Sequence, residues 1–73
     1  MTEDIRQRIG AELRTLREAK GYTVRELAER AGLIHSHIVR IEGGKYSITL
    51  DTLEALCKAL GATIRIDSNE ESD

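Results

Sequence analysis

The chain has 73 residues, of which 40% are apolar and 33% charged, and its only aromatic residues are two tyrosines. This length allows one small domain with an aliphatic core and argues against an enzyme with a deep, enclosed pocket. The formal net charge is −2 at pH 7, but residues 67–73 carry four acids and no base, so the rest of the chain is mildly basic and compatible with a nucleic-acid partner.

The first predicted helix covers residues 2–20. Its apolar positions recur at spacings of four and three, as in an amphipathic helix, and are Ile5, Ile9, Leu13 and Leu16. Glu3 and Asp4 are expected in the first turn, where the helix dipole favours acids, and Gly21 is expected to end the helix. Gly10 interrupts the pattern, and two explanations stay open. Either a neighbouring backbone passes close by, or the chain tolerates a cost of about 0.5–1 kcal/mol.

The second predicted helix begins with a capping box. In this motif the Thr23 hydroxyl and the Glu26 carboxylate each satisfy a free backbone amide. The apolar positions that follow have helical spacing and are Val24, Leu27, Ala28 and Ala31. Gly32 is expected to end this helix after eight or nine residues.

Two further helices follow. The third is predicted to turn Ile34, Ile38 and Ile41 inward and to end at Gly43-Gly44. Its opposite face carries His35, Ser36, Val39 and Arg40. The fourth is predicted to start with Thr49 as its N-cap and to end at Gly61. Its buried residues are expected to be Leu53, Leu56, Cys57 and Leu60.

The pattern changes after Gly61. Residues 63–67 alternate polar and apolar side chains, which predicts a half-buried strand with Ile64 and Ile66 on one face. Because no other segment reads as a strand, the expected partner is the same strand of a second copy, paired across a two-fold axis. We therefore divide the chain into a helical domain over 1–61, a C-terminal dimerisation strand over 62–67, and an acidic tail over 68–73 that is expected to be disordered.

The second and third helices, joined by a short turn containing Gly32, have the arrangement of a helix-turn-helix, although this geometry alone is a weak signal. Four sequence blocks strengthen it: IGAELRTLR at 9–17, LAERAG at 27–32, IVRIEGGK at 38–45, and residues 50–61. With these blocks in this order, the chain resembles the phage-repressor and Cro-like, or XRE-like, helix-turn-helix family. The resemblance implies a mainly α fold, a compact four-helix domain similar to the lambda repressor.

The resemblance also implies roles for particular residues. The residues that it places against base edges are His35, Ser36, Val39 and Arg40. Their chemistry suits this task, since arginine can donate two hydrogen bonds to guanine and valine can contact a thymine methyl group. Phosphate contacts are expected from helix N-termini and from the loop after Glu42, and the candidates are Thr23, Val24, Gly44, Lys45, Tyr46 and Ser47, with His37 as a further candidate on the third helix. An ordinary surface position is the alternative for His37, and His35 and His37 are two residues apart on a helix, so no shared metal ion is expected.

A structural ion pair between Arg17 and Glu42 is the last role that the resemblance implies, and it would fix the angle between the first and third helices. The sequence also departs from the family at three positions. Val24 replaces a common glutamine, Ile34 stands where Ser or Thr usually caps the helix, and Gly43 replaces a frequent polar residue. These departures bear on affinity and operator preference rather than on the fold.

Three functions remain open at this point. The leading one is a sequence-specific double-stranded DNA-binding transcriptional regulator, a repressor that acts as a homodimer on a palindromic operator. The second is an antitoxin-like module that also binds a toxin protein. The third is a protein-interaction domain that has lost DNA binding, which the acidic pI of about 5.7 favours. No enzymatic activity, cofactor or metal is expected.

Localisation follows from what the sequence lacks. It has no apolar run long enough to cross a membrane, and its acidic start differs from a secretory signal. The single cysteine, Cys57, cannot form an internal disulfide and fits a reducing compartment. We therefore expect a cytoplasmic protein.

Overall fold

The computed structural model describes residues 4–66, which contain four helices. They are α1 (Ile5–Ala19), α2 (Val24–Ala31), α3 (His35–Glu42) and α4 (Leu50–Leu60). All four lie where the sequence predicts a helix. None of the helices in this part of the chain combines the length and the apolar composition needed to cross a membrane.

The start of α1 differs from the prediction. Asp4 is the N-cap rather than a residue of the first turn, and its carboxylate accepts a hydrogen bond from the Arg6 amide at 2.9 Å. A short acidic side chain is more stabilising at the N-cap than in the first turn, because at the N-cap it accepts a hydrogen bond from a backbone amide that has no partner within the helix. Arg6 also contacts this carboxylate and holds the pKa of Asp4 below its ordinary value. Glu3 lies outside the described residues.

The caps of α2 and α4 confirm the sequence prediction. The Glu26 amide donates to the Thr23 hydroxyl at 3.0 Å, and the Thr23 amide donates to the Glu26 carboxylate at 2.8 Å. At the start of α4, the Thr49 hydroxyl accepts from the Thr52 amide. Gly32 follows α2 with a φ of 73°, a left-handed conformation that glycine adopts without a steric penalty and that ends the helix.

The prediction that Ile34 points inward is wrong. Ile34 is the N-cap of α3, 71% exposed, and it makes no side-chain capping bond. Its backbone is extended, so its side chain does not continue the helical stripe toward the core. Ile38 and Ile41, which lie within the helix, are buried as predicted.

The core forms where α2 packs between α3 and α4, while α1 packs on α3 and α4. Seven buried residues make up its centre: Leu13, Leu27, Ala28, Ile38, Ile41, Leu56 and Leu60. Cys57 is also buried, and this burial raises the pKa of its thiol, which therefore stays protonated at neutral pH.

Gly10 marks the place where α1 crosses the end of α3. A Cβ atom there would collide with the carbonyl oxygen of Ile41 and would lie 3.2 Å from that of Glu42. The glycine is thus explained by the close approach of a neighbouring backbone, the first of the two alternatives left open by the sequence. It allows α3 to lie directly against α1.

Beyond α4, the Ala62 amide donates to the carbonyl of Cys57 at 2.8 Å and closes the helix end. Residues 62–66 form neither a helix nor a strand paired within the described chain. A single copy offers them no second strand, so the C-terminal strand stays a prediction. Its last residue, Asp67, and the acidic tail at 68–73 lie outside the described residues.

Candidate nucleic-acid interface

The outward face of α3 carries the four residues that the sequence predicts to read bases. These residues are all exposed and are His35, Ser36, Val39 and Arg40. Buried Ile38 and Ile41 occupy the opposite side, so the core fixes which face of the helix points outward. Such a polar face on a short helix offers hydrogen-bond donors and an apolar contact of the kinds that distinguish base pairs in the major groove.

The start of α2 contributes less than predicted. The Thr23 amide donates to Glu26 within the capping box, so it is not available to a phosphate, whereas the Thr23 hydroxyl only accepts there and keeps its own proton to donate. The apolar side chain of Val24 is half-buried against the core. Any phosphate contact there would use the backbone amide, which lies at the positive end of the helix dipole. A phosphate contact at Val24 stays a prediction.

The loop between α3 and α4 holds the remaining predicted phosphate contacts. Lys45 and Ser47 are exposed, while Tyr46 between them is half-buried and packs against the core. Gly44 is buried with a φ of 77°, and its amide donates to the carbonyl of Ile41. That amide is therefore occupied, whereas the side chains of Lys45 and Ser47 are accessible.

His37 is half-buried rather than a surface residue. Its Nε2 atom is buried and has no hydrogen-bond partner among residues 4–66. The imidazole meets the ring of Tyr46 edge to face, with centroids 4.8 Å apart and planes at 88°. In this position Nε2 is not accessible to a phosphate. No sequence pattern indicates this contact, since the two residues are nine positions apart and the end of a helix lies between them.

Arg17 and Glu42 form the ion pair that the resemblance implies. Arg17 Nε lies 2.7 Å from Glu42 Oε2, and Arg17 Nη2 lies 3.0 Å from Glu42 Oε1. The third nitrogen, Nη1, donates to the carbonyl of Tyr22 at 2.8 Å. Their side chains are only 11% and 9% exposed, and the hydrogen bonds that Arg17 donates to Glu42 raise the pKa of Arg17 above its ordinary value.

A second contact joins the same region. The Arg30 guanidinium carbon lies 4.5 Å from the centroid of the Tyr22 ring, within the range of a cation–π interaction. Sequence inspection missed this pair, because neither residue belongs to a periodic pattern. No group of three His, Cys, Asp or Glu side chains suited to a metal ion occurs within residues 4–66.

The predicted dimer residues border a groove that is mainly apolar and that also includes Ser47 of the loop after α3. Ile64 is 47% and Ile66 is 94% exposed. Together with Ile5 and Leu50, which are also exposed, they line a groove of about 580 Å³ between the starts of α1 and α4. Ile5 was predicted as part of the amphipathic stripe of α1, but its exposure places it at the edge of that stripe.

Comparison with known proteins gives consistent similarities. The helix-turn-helix domain family matches residues 8–65. An immunity repressor protein of Bacillus phage phi105 is 34% identical over 64 residues, which are 88% of this chain. An uncharacterised helix-turn-helix-type transcriptional regulator of Sinorhizobium fredii is 33% identical over 60 residues, covering 82% of this chain and 78% of that protein.

A solved structure shows the same similarity. The restriction-modification controller protein C.AhdI of Aeromonas hydrophila matches with a TM-score of 0.80 and 31% identity, over 84% of this chain and 92% of the controller. Coverage of the phage repressor is smaller, because this chain spans only 44% of its length.

Proposed function

The chain belongs to the helix-turn-helix domain family of DNA-binding transcriptional regulators, which are not enzymes, and we propose that it acts as a repressor whose α3 reads an operator in the major groove. The observation that carries this proposal is the exposed polar face of α3, held at a fixed angle by a buried core. The name of the phage immunity repressor supports repression rather than activation.

Specificity is assigned to α3. Arg40 is exposed and has no hydrogen bond or ion pair with the rest of the described chain, so its guanidinium is free to donate to guanine O6 and N7. His35 and Ser36, one turn closer to the helix start, offer smaller polar groups. Val39 adds an apolar contact suited to a thymine methyl group.

Positioning on the duplex is assigned to groups that do not distinguish bases. Lys45 and Ser47 project from the loop after α3, and the Val24 amide lies at the start of α2. Contacts of this kind fix the register of a protein on DNA and supply most of its salt-dependent affinity.

We further propose that two copies bind together on a palindromic site. The exposure of Ile64 and Ile66, beside Ile5 and Leu50, supports this proposal, since a small chain gains stability by covering such a surface. Two copies related by a two-fold axis would place their α3 helices about one turn of the DNA duplex apart, roughly 34 Å.

Selection of bound duplexes from a random library by the purified chain tests the function directly. We expect enrichment of a palindromic motif, and binding to it that weakens steeply with added salt. If no motif is enriched and no duplex is bound at low salt, the chain is an interaction domain without DNA binding, and the proposal is wrong.

A further inference from the structure

His37 lies on α3 but outside the exposed face that is proposed to contact bases. Its Nε2 atom is buried without a hydrogen-bond partner among the described residues, and its ring packs edge to face on Tyr46. This orientation is one that pairs of aromatic rings favour. A buried nitrogen without a partner is unfavourable, and the contact that the structure shows for this ring is its packing on Tyr46.

Tyr46 is the side chain that anchors the loop following α3. It is half-buried and packs against the core, whereas its neighbours Lys45 and Ser47 are exposed. On the other side of the loop, Gly44 lies against α1, where a Cβ atom would be 2.8 Å from the Cα atom of Gln7. The loop is therefore held at two points, on α1 through Gly44 and on α3 through the ring pair.

We propose that His37 is a positioning residue, which holds Tyr46 and thereby keeps Lys45 and Ser47 in position to contact DNA phosphates. The exposed face of the same helix would contact the bases. This inference rests on the proposed function. It makes phosphate contact depend on the position of α3, because the loop that carries Lys45 and Ser47 is held against that helix. It also gives His37 a role that does not depend on a phosphate contact through the buried Nε2 atom.

A comparison of His37→Phe with His37→Ala tests this role. Phenylalanine keeps an aromatic ring against Tyr46 and removes both nitrogens, so affinity for the enriched duplex should stay within about twofold. Alanine removes the ring, so affinity for specific and random duplexes alike should fall about two- to tenfold. The slope of log affinity against log salt should also become shallower by up to about one phosphate contact.

A double-mutant cycle with Lys45 separates positioning from direct contact. If His37 acts through the loop, Lys45→Ala should weaken binding less in the His37→Ala background than in the wild type. Two outcomes would overturn the proposal: equal losses for His37→Phe and His37→Ala, or strictly additive effects of His37→Ala and Lys45→Ala. Thermal melting of each variant identifies any loss that comes from unfolding instead.

A measurement without DNA keeps this inference separate from the proposed function. Backbone ¹⁵N relaxation should show greater fast motion at the Lys45 and Ser47 amides in His37→Ala than in the wild type or His37→Phe. Unchanged loop motion in folded His37→Ala would overturn the positioning role even if the protein binds DNA. Failure of the wild type to bind any duplex would instead overturn the proposed function.

Discussion

Arg17 and Glu42 are 25 residues apart in sequence, yet their side chains form a paired double hydrogen bond at 2.7 and 3.0 Å. The same guanidinium donates to the carbonyl of Tyr22, so one side chain joins α1, the turn before α2 and the end of α3. Both side chains are about nine-tenths buried. Their geometry therefore fixes the direction in which α3 leaves the core.

Arg17→Ala should lower the free energy of unfolding by about 3 kcal/mol, because it leaves the Glu42 carboxylate buried without a cation. It should also weaken DNA binding, since the end of α3 loses its tie to α1. Denaturant unfolding of Arg17→Ala, Glu42→Ala and the double variant measures the coupling. Strict additivity of the two single effects would mean that the pair does not stabilise the fold as a unit. Arg17→Lys is the matched control, since it keeps the charge but not the paired geometry.

Gly10→Ala tests the close approach of α1 and α3. Helix propensity alone would make alanine more stabilising by about 1 kcal/mol, but the added methyl group would collide with the Ile41 carbonyl. We expect net destabilisation of roughly 1–3 kcal/mol in thermal or denaturant unfolding. Ala11→Gly, at the exposed neighbouring position, is the control for ordinary helix propensity. A stabilised Gly10→Ala variant would show that the two backbones are farther apart.

Ile34→Ser should stabilise the protein by about 1 kcal/mol. Ile34 is the N-cap of α3 with an extended backbone and no capping bond, so a serine hydroxyl can accept from a free amide of the first turn. Little apolar burial is lost, since the isoleucine is 71% exposed. Thr49→Ala, which removes an existing cap from α4, should shift the unfolding midpoint in the opposite direction. No gain in Ile34→Ser would mean that the serine hydroxyl forms no capping bond at this position.

Sequence patterns predicted the four helices, the N-caps of α2 and α4 and the residues at the centre of the core, because helical periodicity and capping are local properties. The resemblance to the phage-repressor and Cro-like family is confirmed by the family match over residues 8–65. The motif blocks also led to the Arg17–Glu42 pair, although the sequence spacing of the two residues gives no geometric signal.

Contacts between loops and helices were less predictable. The His37–Tyr46 and Tyr22–Arg30 pairs depend on how a turn closes after a helix, which no periodic pattern encodes. Ile34 was misplaced because its apolar character fits the stripe of α3, although it precedes the first helical residue. The C-terminal strand stays a prediction, because the second copy with which it is expected to pair is not part of a single chain.

Arg40→Ala should weaken binding to the enriched duplex by about 1–3 kcal/mol and relax the preference at one base pair. The reason is that Arg40 lies on the exposed face of α3 with Ser36 and makes no ion pair within the described chain. Lys45→Ala is the matched control, because it removes one positive charge from the adjacent loop. It should weaken specific and random duplexes alike and reduce the salt slope by about one. Equal losses for Arg40→Ala on both duplexes would leave it only a phosphate contact.

The dimer proposal predicts that one change at Ile66 dissociates the dimer and that a second change does not. This side chain is 94% exposed in one copy, so a charge there should leave the stability of a monomer almost unchanged. If Ile66 lies between two copies, Ile66→Asp buries a charge in an apolar interface and should shift the protein toward monomer, whereas Ile66→Val should not. Sedimentation equilibrium measures both variants over a range of concentrations.

Truncation gives the stronger form of the same test. The chain should be cut after Thr63 rather than after Gly61, because the Ala62 amide closes the end of α4 through the Cys57 carbonyl. The shortened protein should keep its helical fold but sediment as a monomer. Its binding to a palindromic duplex should fall to the level of a single half-site, since the two recognition helices no longer bind as one linked unit. A truncated protein that remains dimeric would exclude residues 64–66 as the main contact and would leave the surface of Ile5 and Leu50 to account for it.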